Sequence, residues 1–295
     1  MTTVGMALGS GGARGWCHIG VLRELEKIGV KPGVVAGCSM GSLVGAAYAG
    51  GKLDALEEWL TALTPARFVG LIDIRPGSGG IVAGTEIVSL IQNLGLPERI
   101  EDLEIPFAAV ATDMETGREV WLREGNLSDA VRASVALPGV ISPYRVNGHW
   151  MLDGGLTNPV PVSTARAMGA EMTIAVNPNA KLRGKMWNRP ARALEHQLKD
   201  LPDWLSNALM PAEDKNAPPG YTEVVSTAID VMTEQIRRAR LAGEPPHVLL
   251  NADLSHITVL EFHRGAEAIA EGRRIVAAQK DWILDNAGQG GGGGA

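Results

Sequence analysis

Residues 33–48 read GVVAGCSMGSLVGAAY, apolar towards both ends with glycines and serines between them. Gly33 to Ala36 is a short apolar run, Gly37 to Gly41 is a turn of small residues, and Ser42 to Tyr48 carries a small-residue helix pattern. A strand is handed to a helix through a tight turn. The same move precedes it: Thr3 to Leu8 is apolar, the chain breaks at Gly9, and Ile19, Val21, Leu22, Leu25 and Ile28 recur at helical spacing. Two successive strand-turn-helix units predict a parallel sheet with helices packed on it.

Strand-like runs return at Ile105 to Ala111, Arg118 to Leu122, His149 to Leu152 and Met172 to Val176. The Gly/Pro-rich loop RPGSGGIVAG, from Arg75 to Gly84, is too long for a plain connection and is expected to border a site. The α/β core is predicted to span residues 1–179, with a helical region over 180–285 and a flexible Gly-rich tail over 286–295. Past the core, Lys181, Arg183, Lys185, Arg189 and Arg192 surround Trp187 with no acid among them. Leu194, Leu198, Leu201, Trp204 and Leu205 then mark one helix, and Glu223 to Leu241 a second.

Composition narrows the function. Gly supplies 37 of 295 residues, well above the roughly 7% of average usage. Aromatics are 4% against 45% hydrophobic, so the core is built from aliphatic side chains. A net charge of −6 leaves no electrostatic footprint for a nucleic-acid backbone. Two cysteines, Cys17 and Cys38, give no disulfide framework and no metal-ligand spacing, so neither a metal nor a cofactor is predicted. No signal-like N-terminus and no long apolar run is present, and a cytoplasmic location is expected.

Two glycine-rich turns could carry chemistry. Gly9 to Gly15, between a strand and a helix, lets backbone N–H groups converge on an anion. Arg14 occupies the place of the third glycine of G-x-G-x-x-G, and no phosphate-loop lysine motif occurs, which argues against nucleotides. Gly37-Cys38-Ser39-Met40-Gly41 fits the G-x-S-x-G nucleophile elbow, with the Met40 N–H beside the hydroxyl of Ser39. Cys38 adjoins the nucleophile, and a packing role is expected of it. A serine hydroxyl needs a base. His18, His149, His196, His247, His256 and His263 are available, and so is Asp153, which ends a strand and is followed by two glycines.

A fourth block, Ala133-Ser134-Val135-Ala136-Leu137-Pro138, completes a set. The glycine loop, the elbow, this A-S-x-x-x-P block and the D-G-G turn resemble, in order, the patatin family of lipid acyl hydrolases over Val4 to Asn179. The small soluble bacterial members are the most similar in layout, with a helical region like residues 180–285. The resemblance implies a three-layer α/β/α fold with a mostly parallel central sheet and a helical C-terminal extension. It also implies a phospholipase A-like carboxylic ester hydrolase with a Ser-Asp dyad, without histidine, on Ser39 and Asp153. The family's oxyanion hole maps onto the backbone of Gly11 and Gly12, with Ser10 in place of the first glycine of the usual triple run. Arg14 matches the basic position after the glycines and is expected to brace the loop. The implied partner is a lipid or other acyl ester, with residues 181–192 a candidate contact for anionic lipid surfaces. Self-association is left open. The contrasting reading is a slow or inactive adaptor that keeps the fold for protein contacts.

Overall fold

The computed structural model describes residues 2–64, 82–180 and 221–288. Eight strands among them form one sheet: β1 (Val4–Leu8), β2 (Val34–Cys38), β3 (Phe107–Asp113), β4 (Glu119–Leu122), β5 (Tyr144–Val146), β6 (His149–Asp153), β7 (Met172–Asn177) and β8 (Val248–Asn251). Hydrogen-bonded neighbours run β5-β6-β3-β2-β1-β7-β8, and β4 pairs with β3 outside this path. From β3 through β8 the pairings along this path are parallel, and β4, β5 and β6 attach antiparallel.

Alternation along β1 divides the core into two layers of packing. Val4, Met6 and Leu8 join an apolar cluster with α1 (Cys17–Lys27), α2 (Met40–Ala49), α3 (Leu53–Thr61) and the helix Gly265–Ala277. Ala7, Ala36 and Ala175 face the other way, against Val162 and Ala165 of the helix Val162–Ala167 and Leu241 of the helix Tyr221–Gly243. Small residues on this second face let the helices sit close. The result is the three-layer α/β/α arrangement with a mostly parallel sheet.

The region after residue 180 does more than add helices, because its β8 extends the sheet in parallel with β7. Its helix Gly265–Ala277 crosses α1 backbone to backbone. A β-carbon on Gly20 would fall 1.9 Å from the Ile269 carbonyl oxygen, and one on Gly272 would fall 2.0 Å from that of Cys17. The basic run 181–192, the helix expected over Leu194 to Leu205, most of the Arg75 to Gly84 loop and the end of the tail lie outside the described residues. Among those described, no helix is long and apolar enough to cross a membrane.

The register around β3 positions the site. Val110 pairs with both Cys38 of β2 and Trp121 of β4, so β2 and β4 occupy opposite edges of β3. Ala111 pairs with both Val120 of β4 and Asp153 of β6, so β6 also lies opposite β4. Strands β2 and β6 therefore share one edge of β3 and run towards each other. Cys38 sits against Val110 and Asp153 against the next residue, so the two strand ends meet.

Candidate active site

Ser39 links β2 to α2 at φ 54° and ψ −125°. Among the described residues, Asn147 is the other non-glycine with positive φ. Such a conformation costs on the order of 1–3 kcal/mol and persists where neighbours hold it. The holding bonds are visible. The Ser39 N–H donates to Ser134 Oγ at 2.9 Å, and the Ser39 carbonyl accepts from the Ser42 hydroxyl at 2.6 Å and the Ser42 N–H at 2.8 Å. The flanking glycines are a steric necessity. A β-carbon at Gly37 would lie 2.4 Å from the Gly41 oxygen, and one at Gly41 would lie 2.1 Å from that of Leu8.

The Ser39 hydroxyl donates to Asp153 Oδ2 at 2.6 Å. The other oxygen of this carboxylate accepts the Gly155 N–H at 2.7 Å. The Asp153 main chain is held as well, its N–H donating to Ala136 O at 2.9 Å and its carbonyl accepting from the Thr112 hydroxyl at 2.9 Å. Only 2% of Asp153 is exposed. Burial pushes its carboxyl from 3.8 up to about 6, against the pull of the hydrogen bonds from Ser39 and Gly155. The group is therefore a stronger base than an ordinary aspartate, yet is still largely ionised at neutral pH.

None of the described histidines hydrogen-bonds to Ser39. His18 is buried, bonds the Gly9 carbonyl through Nε2 at 2.8 Å, and is pushed down to about 4 by burial. His149 faces Asp113, His247 bonds Thr173 and His256 bonds Glu267. His263 has a buried Nδ1 with no hydrogen-bond partner among the described residues, and His196 lies outside them.

The glycine loop lies against the elbow. A β-carbon on Gly15 would be 2.4 Å from that of Met40. The loop is pinned by Gly9 N–H to Val176 O at 3.1 Å, Ser10 N–H to Pro159 O at 2.8 Å and Ala13 N–H to Val259 O at 2.9 Å. Ser10 thus spends its N–H on Pro159, and its φ is not positive, so a side chain is tolerated there. Gly12 has φ +52° and no room for a side chain beneath Val259 O. Among the described residues, no hydrogen bond uses the N–H of Gly11, Gly12 or Met40.

Arg14 is 5% exposed and ties three segments to the loop. Its Nε donates to Ile257 O at 2.6 Å, its Nη1 donates to Asn179 Oδ1 at 2.8 Å, and Asp230 lies 4.0 Å away. Asn179 in turn donates to Ser10 O at 2.8 Å. Cys38 is fully buried, its thiol pushed up by burial and then by the charge of Asp153, and its Sγ packs where a β-carbon on Gly154 would come within 3.1 Å. Among the described residues, no group of three or more His, Cys, Asp or Glu is arranged to hold a metal ion. The A-S-x-x-x-P block is legible in the sequence, but the contacts of Ser134 with Ser39 and of Ala136 with Asp153 are not.

The sequence model of the Patatin-like phospholipase family matches residues 6–166. An uncharacterised NTE family protein of Mycobacterium tuberculosis is 34% identical, with 92% of this chain and 89% of the relative covered, and a Mycobacterium bovis counterpart matches equally. Patatin-like phospholipase domain-containing protein 6 of Mus musculus is 35% identical over 59% of this chain and 13% of its own length. VipD from Legionella pneumophila, a solved structure, aligns with a TM-score of 0.40 at 13% identity, covering 98% of this chain and 77% of its own. The family match takes in the glycine loop, the elbow and the D-G-G turn, and it supports lipid hydrolase activity in general. With that match over more than half of its length and the mycobacterial relatives aligned along nearly all of it, the chain belongs to the patatin-like phospholipase family.

Proposed function

We propose that the protein is a phospholipase A-like carboxylic ester hydrolase that works through a Ser39-Asp153 dyad and an acyl-enzyme. The observation that carries this reading is the 2.6 Å hydrogen bond from the Ser39 hydroxyl to a buried carboxylate, with no described histidine bonded to that hydroxyl. Ser39 Oγ attacks the ester carbonyl carbon while Asp153 takes the hydroxyl proton. The carbonyl oxygen becomes an oxyanion that accepts from the N–H groups of Gly11, Gly12 and Met40. One such donor is worth about 3–4 kcal/mol in the transition state. Collapse breaks the ester C–O bond, and the proton on Asp153 passes to the departing alkoxide. Water then attacks the acyl-Ser39 carbonyl, giving its proton to Asp153, and the fatty acid leaves as Ser39 regains its hydrogen.

The basicity of Asp153 suits this cycle. A carboxyl at about 6 holds a proton more tightly than an ordinary aspartate by about 3 kcal/mol. It still releases that proton to an alkoxide. The test compares hydrolysis of short and long p-nitrophenyl esters by the wild type and Ser39→Ala, together with labelling by a fluorophosphonate. Loss of both turnover and label in Ser39→Ala, with labelling kept in each histidine-to-alanine variant, is the expected result. Equal rates in Ser39→Ala and wild type would end the proposal.

A further inference from the structure

The two members of the dyad stand 114 positions apart in the chain, yet their hydroxyl and carboxylate oxygens are held at 2.6 Å. Their side chains alone do not set that spacing, because each is fixed through its main-chain N–H. The Ser39 N–H donates to Ser134 Oγ at 2.9 Å, and the Asp153 N–H donates to Ala136 O at 2.9 Å. Both acceptors belong to one turn. It closes the helix Leu127–Ser134 and is tightened by Ala136 N–H to Ala133 O at 3.2 Å and Leu137 N–H to Val135 O at 2.7 Å.

Ser134 is itself constrained. It is fully buried, and its hydroxyl donates to Val110 O at 2.6 Å, which leaves its lone pairs facing the Ser39 N–H. Val110 is the β3 residue paired with Cys38, so Ser134 ties the elbow to the strand beside it. Two residues earlier, the buried Arg132 donates through Nη2 to Ser142 O at 2.8 Å and through Nε to Ala83 O at 3.0 Å, and its guanidinium lies 5.0 Å from the Tyr144 ring centroid. The helix that delivers Ser134 is thereby anchored.

We infer that the Ser134–Ala136 turn is the positioning element of the dyad, with Ser134 holding the strained Ser39 backbone and Ala136 holding Asp153 in register with it. This rests on the Ser-Asp reading above. Ser134 touches no reacting atom, so it is a positioning residue. It also takes the Ser39 N–H out of the set of oxyanion donors. Without its hydroxyl, the Ser39 N–H and Val110 O lose a buried partner, the positive-φ elbow is free to relax, and the Ser39 oxygen leaves its line to the ester carbon.

The test measures ester hydrolysis and fluorophosphonate labelling for wild type, Ser39→Ala, Ser134→Ala and Thr173→Val. Thr173 is fully buried and bonds His247 at 3.0 Å, next to Gly5 in β1 and away from the strand ends that meet at the dyad. Its variant loses a partly buried hydrogen bond remote from the dyad and serves as the stability control. Ser134→Ala is expected to lower kcat about 10- to 100-fold, the scale of one unsatisfied buried group. KM should stay within about twofold, labelling should slow by the same factor as kcat, and the pH midpoint should not move. Thr173→Val should keep the wild-type kcat. Should Ser134→Ala fail to fold, Ser134→Cys, whose thiol is a weak donor and acceptor, is expected to show the same selective loss in smaller measure. Wild-type kcat and labelling in the Ser134 variants, or an equal kcat loss in Thr173→Val, overturns the inference while an inactive Ser39→Ala leaves the dyad reading standing. An active Ser39→Ala overturns both.

Discussion

Asp153→Asn exchanges a fully buried carboxylate for a neutral amide of nearly the same shape. The amide oxygen can still accept from the Gly155 N–H, and the amide nitrogen can donate to Ser39 Oγ, so neither neighbour is orphaned. What changes is charge. A carboxyl raised from 3.8 to about 6 in the folded protein binds more protons there than in the unfolded chain between those values. Stability conferred by the protonated form is fully present below about pH 4 and is lost as pH rises through about 6. At pH 8 the folded state carries a penalty of about 3 kcal/mol for ionised Asp153. Asparagine removes that penalty. The variant should therefore melt roughly 6–10 °C above the wild type at pH 8, with the difference shrinking towards zero near pH 4. Its kcat/KM should fall about 10²- to 10⁴-fold. Thermal or urea unfolding of both proteins across pH 4 to 8 checks this. A variant less stable than wild type at pH 8, or a stability difference independent of pH, would mean that ionised Asp153 does not destabilise the fold.

The wild-type kcat/KM should rise with pH through about 6 and level off above it, since Asp153 must be ionised to accept a proton; a flat profile through that window would exclude it as the base. Gly272→Ala places a β-carbon against the Cys17 carbonyl, and urea unfolding should show a loss of about 2–3 kcal/mol, whereas an unchanged midpoint would mean the helices separate freely. Gly12→Ala meets Val259 O at a left-handed φ, and steady-state kinetics should show a large kcat loss from the displaced N–H; unchanged kcat would remove Gly12 from the oxyanion donors. Cys38 should resist iodoacetamide in the folded protein and react on unfolding, as mass spectrometry would report.

Much of the fold was legible because glycine and aliphatic runs alternate cleanly in the first 48 residues. Thr3 to Leu8 and Gly33 to Ala36 appear as β1 and β2 within a residue or two. The first helix, marked in the sequence by Ile19 to Ile28, runs over Cys17–Lys27 and follows a 3-10 turn at Gly12–Trp16. Strands β5 and β8 were not read from the sequence, since β5 has only three residues and β8 is a short apolar run, Val248 to Leu250, without alternation. Ser39 and Asp153 could each be suspected from their glycine neighbours. Their pairing followed from the family resemblance and not from the local sequence, because the meeting depends on the shared edge of β3. The Ser134 clamp crosses 95 positions and leaves no local mark beyond a block of small residues before Pro138.

Trapping the acyl-enzyme tests Ser39 as the nucleophile. The wild type is mixed with a slowly turned-over p-nitrophenyl ester, quenched with acid and digested, and the peptides are weighed. A burst of p-nitrophenol equal to the enzyme present is expected, with one acyl group on the peptide carrying Ser39, both absent in Ser39→Ala. An acyl group on another residue, or steady turnover by Ser39→Ala without any adduct, would contradict it.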